Sequence, residues 1–319
     1  MAGPPRMELN PASILVIKLG ALGDFVQALG PFSAIRHHYG GARIVLLTTR
    51  PYRELAEASG FFDEVWTNGR PGRMDFAGWF KLRHCLVQGG FGRIYDLQTS
   101  GRSSFYRRLF WPAPVPEWSG IAHGCSHPHT NPGRDSLHTI ERQAEQLEMA
   151  GITEVQPFDP ASLDIGNGGN VSRFGLVERY VLLAPAGAAH RPGKRWPKER
   201  FTALARALLE KALTPVLLGT AAERPMLAGI AVLCPGVRDL SGETSLLDLV
   251  SLGRRAVAAV GNDTGPMHLM ASLGCPSVVL YSNESDPTLC GQRGPSVTIL
   301  RRNRLADVSV VEVVDAMEL

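Results

Sequence analysis

Apolar residues along this chain fall into short runs of strand length, each followed by a stretch with helical spacing, and the alternation occurs in both halves. Residues 13–19 (SILVIKL) suit a buried parallel strand. GALGD follows, then a helical pattern to about residue 39 that Pro31 breaks or restarts. Gly40-Gly41 ends that pattern and residues 43–48 make the next strand, so the chain opens on a βαβ unit. Further strands are expected at 62–66 and 93–98, a helix at 76–88, and a helix that is basic on one side at 102–110. Residues 111–136 are rich in Pro, Gly, His and Trp and show no period, so they read as one long functional or mobile loop. An amphipathic helix over 137–150 ends at Gly151.

The pattern restarts after residues 165–171 (IGNGGNV), which read as an interdomain linker. Strands at 180–184, 215–218, 237–240, 256–260, 277–281 and 296–300 alternate with helices at 198–211, 222–233, 246–254, 267–273 and 308–317. The expected fold is α/β: two doubly wound, Rossmann-like domains, residues 1–165 and 166–319, facing across a cleft. The last helix is left free to pack back on the N-terminal domain. The cleft is the default place for a ligand.

Composition narrows the classes. A chain of 319 residues can bury two cores, and 44% hydrophobic with 20% charged residues describes a folded protein, not a fibrous or disordered one. A formal charge of +3 and a pI near 8.7 suit acidic ligands or an anionic membrane surface, and are too weak to imply nucleic acid. The five cysteines are scattered, without a Cys-x-x-Cys pair, as expected of reduced thiols in a cytoplasmic protein. The proline-rich start does not read as a secretory signal. No apolar run approaches the roughly 20 residues that cross a bilayer, which leaves peripheral membrane contact.

Candidate chemistry gathers at the ends of strands. Residues 260–281 (VGNDTGPMHLMASLGCPSVVLY) read as strand, polar turn, short helix and strand. Asp263 or Thr264 can cap the helix and Pro266 fits its first turn, so its free N–H groups offer a seat for phosphate. Asp263, Thr264 and Gly265 can all reach a phosphate or a ribose, and His268 follows within the first turn. In Gly20-x-x-Gly23-Asp24 the glycines allow a tight turn beside a ligand, and Asp24 could take a proton from an acceptor hydroxyl. A carboxylate favoured by the helix dipole explains Asp24 equally well. Residues 185–197 (PAGAAHRPGKRWP) form a cationic loop, with Lys194 among its charges, suited to a diphosphate or simply solvated. Glu223, at a helix start, could hold a ribose diol or cap its helix. Arg102, Arg107 and Arg108 beside Trp111 could grip an acidic acceptor, although an exposed helix face is the plainer reading. His123, Cys125, His127 and His129 alternate at a spacing that matches no usual zinc pattern, so no metal site is assigned. A dinucleotide reading meets mis-spaced glycines, and the second strand ends in Thr48-Thr49-Arg50 with no acid. Arg50 could still greet a 2′-phosphate, which keeps an NADP-dependent oxidoreductase as the rival enzyme.

LVIKLGALGDFVQALG, GKRWP and GNDTGPMHLMASLGCPSVVLY, in this order and spacing, resemble the ADP-heptose:lipopolysaccharide heptosyltransferases, glycosyltransferase family 9. YDLQTSGRSS, LHTIERQAEQLEMAGI and SDPTLCGQRGP extend the resemblance over nearly the whole chain. It implies a GT-B fold with acceptor on the N-terminal domain and nucleotide-sugar on the C-terminal one. It also implies an inverting, metal-independent glycosyltransferase with no cofactor beyond its nucleotide-diphosphate sugar. Its partner would be an anionic glycolipid, lipopolysaccharide core or a related surface glycan, met on the cytoplasmic face of the inner membrane. By motif, Asp24 matches the family's general base and Lys194 the lysine that neutralises donor phosphate. Asp263, Thr264, Gly265 and His268 match its diphosphate segment, and Glu223 falls near its ribose-binding acid. Gly20, Gly23 and Arg102 fall on the acceptor side. A non-catalytic nucleotide-sugar-binding protein is the third class, separated from the first by a transfer assay.

Overall fold

The computed structural model describes residues 12–166, 171–176, 179–187 and 190–319. The N-terminal residues 1–11, residues 167–170 of the expected linker and residues 188–189 of the cationic loop lie outside the described residues. The chain forms two compact units. Of the described residues, the first holds 12–20, 28–135 and 140–157, and the second holds 21–27, 136–139 and those from 158 to 319. The main crossing therefore falls at 157/158 rather than 165/166, and two short segments of the N-terminal half belong to the second unit.

The first unit is built on β1 (Ser13–Ile17), β2 (Arg43–Leu47), β3 (Glu64–Trp66), β4 (Arg93–Asp96), β5 (Glu117–Gly120) and β6 (His127–Pro128). All pair in parallel in the order β3-β2-β1-β4-β5-β6. Leu15, Ile17, Val45, Leu47 and Ile94 are fully buried, which is why the central strands read as continuous apolar runs. In sequence, the strands alternate with α1 (Leu22–Val26), α2 (Leu29–His38), α3 (Arg53–Ala58), α4 (Phe76–Gln88), α5 (Gly101–Tyr106) and α6 (Thr139–Glu148). The helical stretch after β1 does break, but ahead of Pro31: the proline sits in the first turn of α2, where its missing N–H costs nothing.

Residues 111–136 are not the single loop their composition suggests. They contain β5, paired to β4, and β6, paired to β5. Runs of four and two residues are too short to show a period. The segment is pinned as well: His129 Nε2 lies 2.6 Å from Glu145 Oε2, and Arg107 donates to the carbonyl of Gly124 at 2.7 Å. Of the histidines, His129 is engaged by Glu145, while His127 Nε2 lies 3.7 Å from Glu117 Oε2. Among the described residues, no group of three His, Cys, Asp or Glu side chains could hold a metal ion.

The second unit repeats the scheme with β7 (Tyr180–Ala184), α7 (Lys198–Glu210), β8 (Thr214–Leu217), α8 (Arg224–Leu233), β9 (Arg238–Asp239), α9 (Leu246–Arg255), β10 (Ala258–Asn262), α10 (Gly265–Ser272), β11 (Ser277–Tyr281), α11 (Pro287–Cys290), β12 (Val297–Arg301) and α12 (Val310–Ala316). Its strand order is β12-β11-β10-β7-β8-β9. Counted from each unit's first strand, both sheets have the order 3-2-1-4-5-6. The direction of winding reverses between β1 and β4 in one and between β7 and β10 in the other, and open parallel sheets bind ligands beyond the carboxyl ends of such strand pairs. The last helix belongs to the second unit. Val313 and Met317 join the second unit's core with Phe201, Leu204 and Leu208 of α7.

Candidate functional site

The two segments with the most chemistry leave the adjacent strands β7 and β10. Strand β10 runs two residues further than its apolar stretch, through Gly261 and Asn262, because Gly261 sits where an added Cβ would meet Ala184 and Met267 at 2.7–2.8 Å. Asn262 is fully buried and ties the two segments together. Its Nδ2 donates to the carbonyls of Pro185 (2.8 Å) and Ala186 (3.2 Å), and its Oδ1 accepts from Trp196 N at 2.9 Å. Both ends of the cationic loop are held by one amide.

That staple delivers Lys194. Its ammonium lies 2.5 Å from Asp263 Oδ2, and both side chains are largely buried. The other oxygen, Oδ1, accepts from the Tyr281 hydroxyl at 3.0 Å and from Gln292 Nε2 at 3.3 Å, with His268 Nε2 at 3.9 Å. Burial works to raise the Asp263 pKa, but the hydrogen bond and charge of Lys194, with His268, outweigh it and hold the carboxyl below its ordinary value. His268 moves the other way. Burial pushes its pKa down to about 4, against the pull of Asp263 and Asp24, so the imidazole is neutral at pH 7.

The geometry divides the residues that the sequence grouped as diphosphate ligands. A carboxylate repels phosphate, and both oxygens of Asp263 are already used. The Asp263 carboxylate instead holds Lys194, whose ammonium carries further N–H donors that this carboxylate does not consume. The helix start fits an anion directly. Thr264 is the N-cap in extended conformation, yet its hydroxyl donates to Asn262 O at 3.2 Å and makes no cap bond. In the first turn of α10, Pro266 has no N–H and the Met267 and His268 N–H groups donate to Thr264 O at 3.1 and 3.4 Å, so the N–H groups of Thr264 and Gly265 are the ones turned toward an anion.

Helix α1, in the second unit, packs on α10 through glycines on both sides. A Cβ on Gly23 would lie 2.6 Å from the His268 ring, and one on Gly265 would lie 2.6 Å from Leu22. Gly23 is thus a packing glycine. It brings the next residue, Asp24, close enough for its charge to act on His268. The Asp24 carboxylate is half-buried and accepts from Ala21 N at 3.3 Å.

Three predicted residues stand apart from this cluster. Glu223 follows β8 and its carboxylate accepts from Thr220 N and Oγ1, both at 2.8 Å, closing the turn into α8. Gly20 and Arg102 belong to the first unit, following β1 and β4 at its own reversal of winding. The space beside Gly20 is taken by Tyr52, whose ring would lie 2.5 Å from an added Cβ. With Tyr52 beside Gly20 and His268 beside Gly23, these glycines seat side chains, not the pyrophosphate that an NADP reading requires. Arg102 donates to Pro71 O at 3.0 Å and stacks 5.7 Å from the Trp79 ring.

Asn262, Tyr281 and Gln292 complete the cluster in addition to the residues expected from the sequence. Tyr281 and Gln292 lie 18 and 29 residues from Asp263 and their convergence has no local signature. Asn262 was visible, since a polar residue closing a fully buried strand needs hydrogen-bond partners.

The family model of glycosyltransferase family 9 (heptosyltransferase) matches residues 79–316. The chain is 37% identical over 301 residues to the lipopolysaccharide heptosyltransferase 2 of Escherichia coli K12, covering 85% of this chain and 83% of the relative. Among solved structures, a family 9 glycosyltransferase from Veillonella parvula superposes with a TM-score of 0.85 at 21% identity, covering 98% of this chain and 97% of that one. The ADP-heptose lipopolysaccharide heptosyltransferase II of E. coli superposes with a TM-score of 0.78 at 23% identity, covering 96% and 97%. These likenesses give the fold as the GT-B type built of two Rossmann-like units, and the family match and sequence identity make this chain a member of glycosyltransferase family 9, the heptosyltransferases.

Proposed function

We propose that the protein transfers a heptose, with inversion, from ADP-heptose to a lipopolysaccharide-core acceptor, working at the cytoplasmic face of a membrane without metal or other cofactor. The observation that carries the reading is the pairing of Lys194 with the uncapped start of α10 beyond β7 and β10. Together they offer a buried ammonium and the backbone N–H groups of Thr264 and Gly265 where a diphosphate leaving group would gather charge. Electrostatic help of this kind is often the largest catalytic contribution. It also supplies at the diphosphate the positive charge that a divalent cation would otherwise bring. The nucleotide and sugar are taken from the E. coli relative named for ADP-heptose.

In the proposed step, Asp24 accepts the proton of an acceptor hydroxyl as that oxygen attacks the anomeric carbon. The bond to the diphosphate breaks on the opposite face, and the departing ADP is held by Lys194 and the N–H groups of Thr264 and Gly265. His268, neutral at pH 7, contributes a hydrogen bond rather than a charge. Glu223 is assigned to the ribose diol, which requires its carboxylate to exchange the Thr220 hydroxyl for the ligand.

Thermal-shift measurement against ADP, UDP and GDP tests the donor class. ADP at about 100 times its Kd should stabilise the protein by about 2.7 kcal/mol, with UDP and GDP giving much less. Equal stabilisation by all three would remove adenine from the assignment. Product analysis with ADP-heptose and a core acceptor then separates a transferase from a protein that only binds the nucleotide-sugar.

A further inference from the structure

Helix α4 and its surroundings in the first unit carry large apolar side chains that the core does not use. Phe76 and Phe80, one turn apart on α4, are 65% and 72% exposed, and Met74 just before the helix is 79% exposed. Trp111, also 79% exposed, is joined to the same face because Arg83 of α4 donates to its carbonyl at 3.0 Å. Phe76, Phe80 and Phe105 rim a groove of about 870 Å³ that Arg73, Arg83 and Arg102 also line. Folded chains rarely leave this much aromatic surface in one place unless it meets something.

Charge selects what it meets. Residues 70–84 and 101–111 hold seven arginines and lysines against a single acid, Asp75, a balance of +6. Asp75 is itself occupied, capping α4 by accepting from Gly78 N at 2.8 Å. Outward aromatic rings set among arginines match the layered chemistry of a bilayer surface, where phosphates lie above the first acyl carbons. A small acidic solute would use the arginines and leave three exposed rings unexplained.

We propose that this face, formed by α4 with Met74 and Trp111, docks the enzyme on an anionic phospholipid bilayer. The rings enter the headgroup layer and the arginines pair with lipid phosphates. The inference deepens the reading of a membrane-held acceptor, but its test needs neither acceptor nor donor.

The full chain is mixed with vesicles of pure phosphatidylcholine or with roughly one third phosphatidylglycerol, and bound protein is measured by sedimentation. Binding should favour the anionic vesicles and weaken as salt rises, because the attraction to lipid phosphates is screened. The Phe76→Ser/Phe80→Ser variant should partition about tenfold less, as partial loss of two buried rings implies. Trp111→Ser, on a separate segment, should weaken binding independently of any effect on α4. All three positions are exposed, so thermal unfolding should match the parent. Equal binding to both vesicle types, or unchanged binding by both variants, would overturn the proposal. So would variants that bind vesicles normally yet lose transfer to a delipidated, water-soluble acceptor, since the face would then be a headgroup site. Parent enzyme that binds anionic vesicles but transfers no heptose would leave the docking face standing and remove the proposed activity.

Discussion

At the residue scale, the central feature is a buried ion pair whose two members do different work. Asp263 holds Lys194 in place, and Lys194 is the member proposed to meet the leaving group. Removing one partner strands the other, so Asp263→Asn should destabilise the protein by about 3–5 kcal/mol in urea titrations. Lys194→Met/Asp263→Asn together should cost less than the sum of the single changes, while donor binding stays lost in the double variant. Additive costs would mean the pair is not coupled. His268 gives a pH prediction. Its folded-state pKa of about 4 lies below the ordinary 6.5, so the unfolded chain binds the extra proton between these values. Its stabilising contribution is complete above pH 6.5 and is lost as pH falls toward 4. His268→Gln should flatten the Tm-against-pH curve in that window. Asp263, whose pKa is lowered, contributes above the ordinary carboxylate range and loses its share only at more acid pH.

At the scale of elements, two helices meet only because glycine is present on each. Alanine at position 23 would press on His268, and alanine at 265 would press on Leu22. Overpacking of this kind costs about 1–3 kcal/mol. Because Asp24 and His268 ride on the two helices, Gly23→Ala should lower kcat by at least about tenfold with a small change in Tm. A variant with normal kcat would show that the close packing of α1 on α10 is not needed for turnover. Strand β4 ends in a second titratable group. Asp96 is fully buried and its pKa is pushed up to about 7 by burial, despite hydrogen bonds from Gln98 N and Thr99 N. The folded state therefore binds more protons than the unfolded state between the ordinary 3.8 and about 7, and stability falls as pH rises through that range. Asp96→Asn should remove the decline, read as a smaller Tm difference between pH 5 and pH 8. These elements were unequally legible. β1, β2, β7 and β11 announced themselves as apolar runs, and α10 by its Thr-Gly-Pro start. β5 and β6 did not, because Trp118-Ser119-Gly120 and His127-Pro128 are held by pairing with a neighbour rather than by a pattern of their own.

At the scale of the molecule, each unit's sheet reverses its winding between two adjacent strands, and the candidate residues follow those strands. Gly20 and Arg102 come after β1 and β4, Lys194 and Asp263 after β7 and β10. The order of elements alone shows this much, since alternation of strand and helix with a polar turn at a strand's end fixes where ligands belong. The pairing of Asp263 with Lys194 was not legible, because it depends on Asn262 tying two segments some 70 residues apart. Without that tie, both residues look like phosphate ligands; with it, one supports the other. The split of the chain was also hidden, since only three-dimensional packing assigns α1 to the second unit with α10. That assignment places Asp24 beside the proposed leaving-group clamp and makes the two halves of the chemistry separable by mutation. The direct measurement is therefore Asp24→Ala, assayed for heptose transfer and, in parallel, for ADP affinity by calorimetry. Loss of transfer by about 10²–10⁴-fold, with ADP affinity within a factor of about three, is the predicted result. An Asp24→Ala enzyme that turns over at nearly the parent rate would contradict the account.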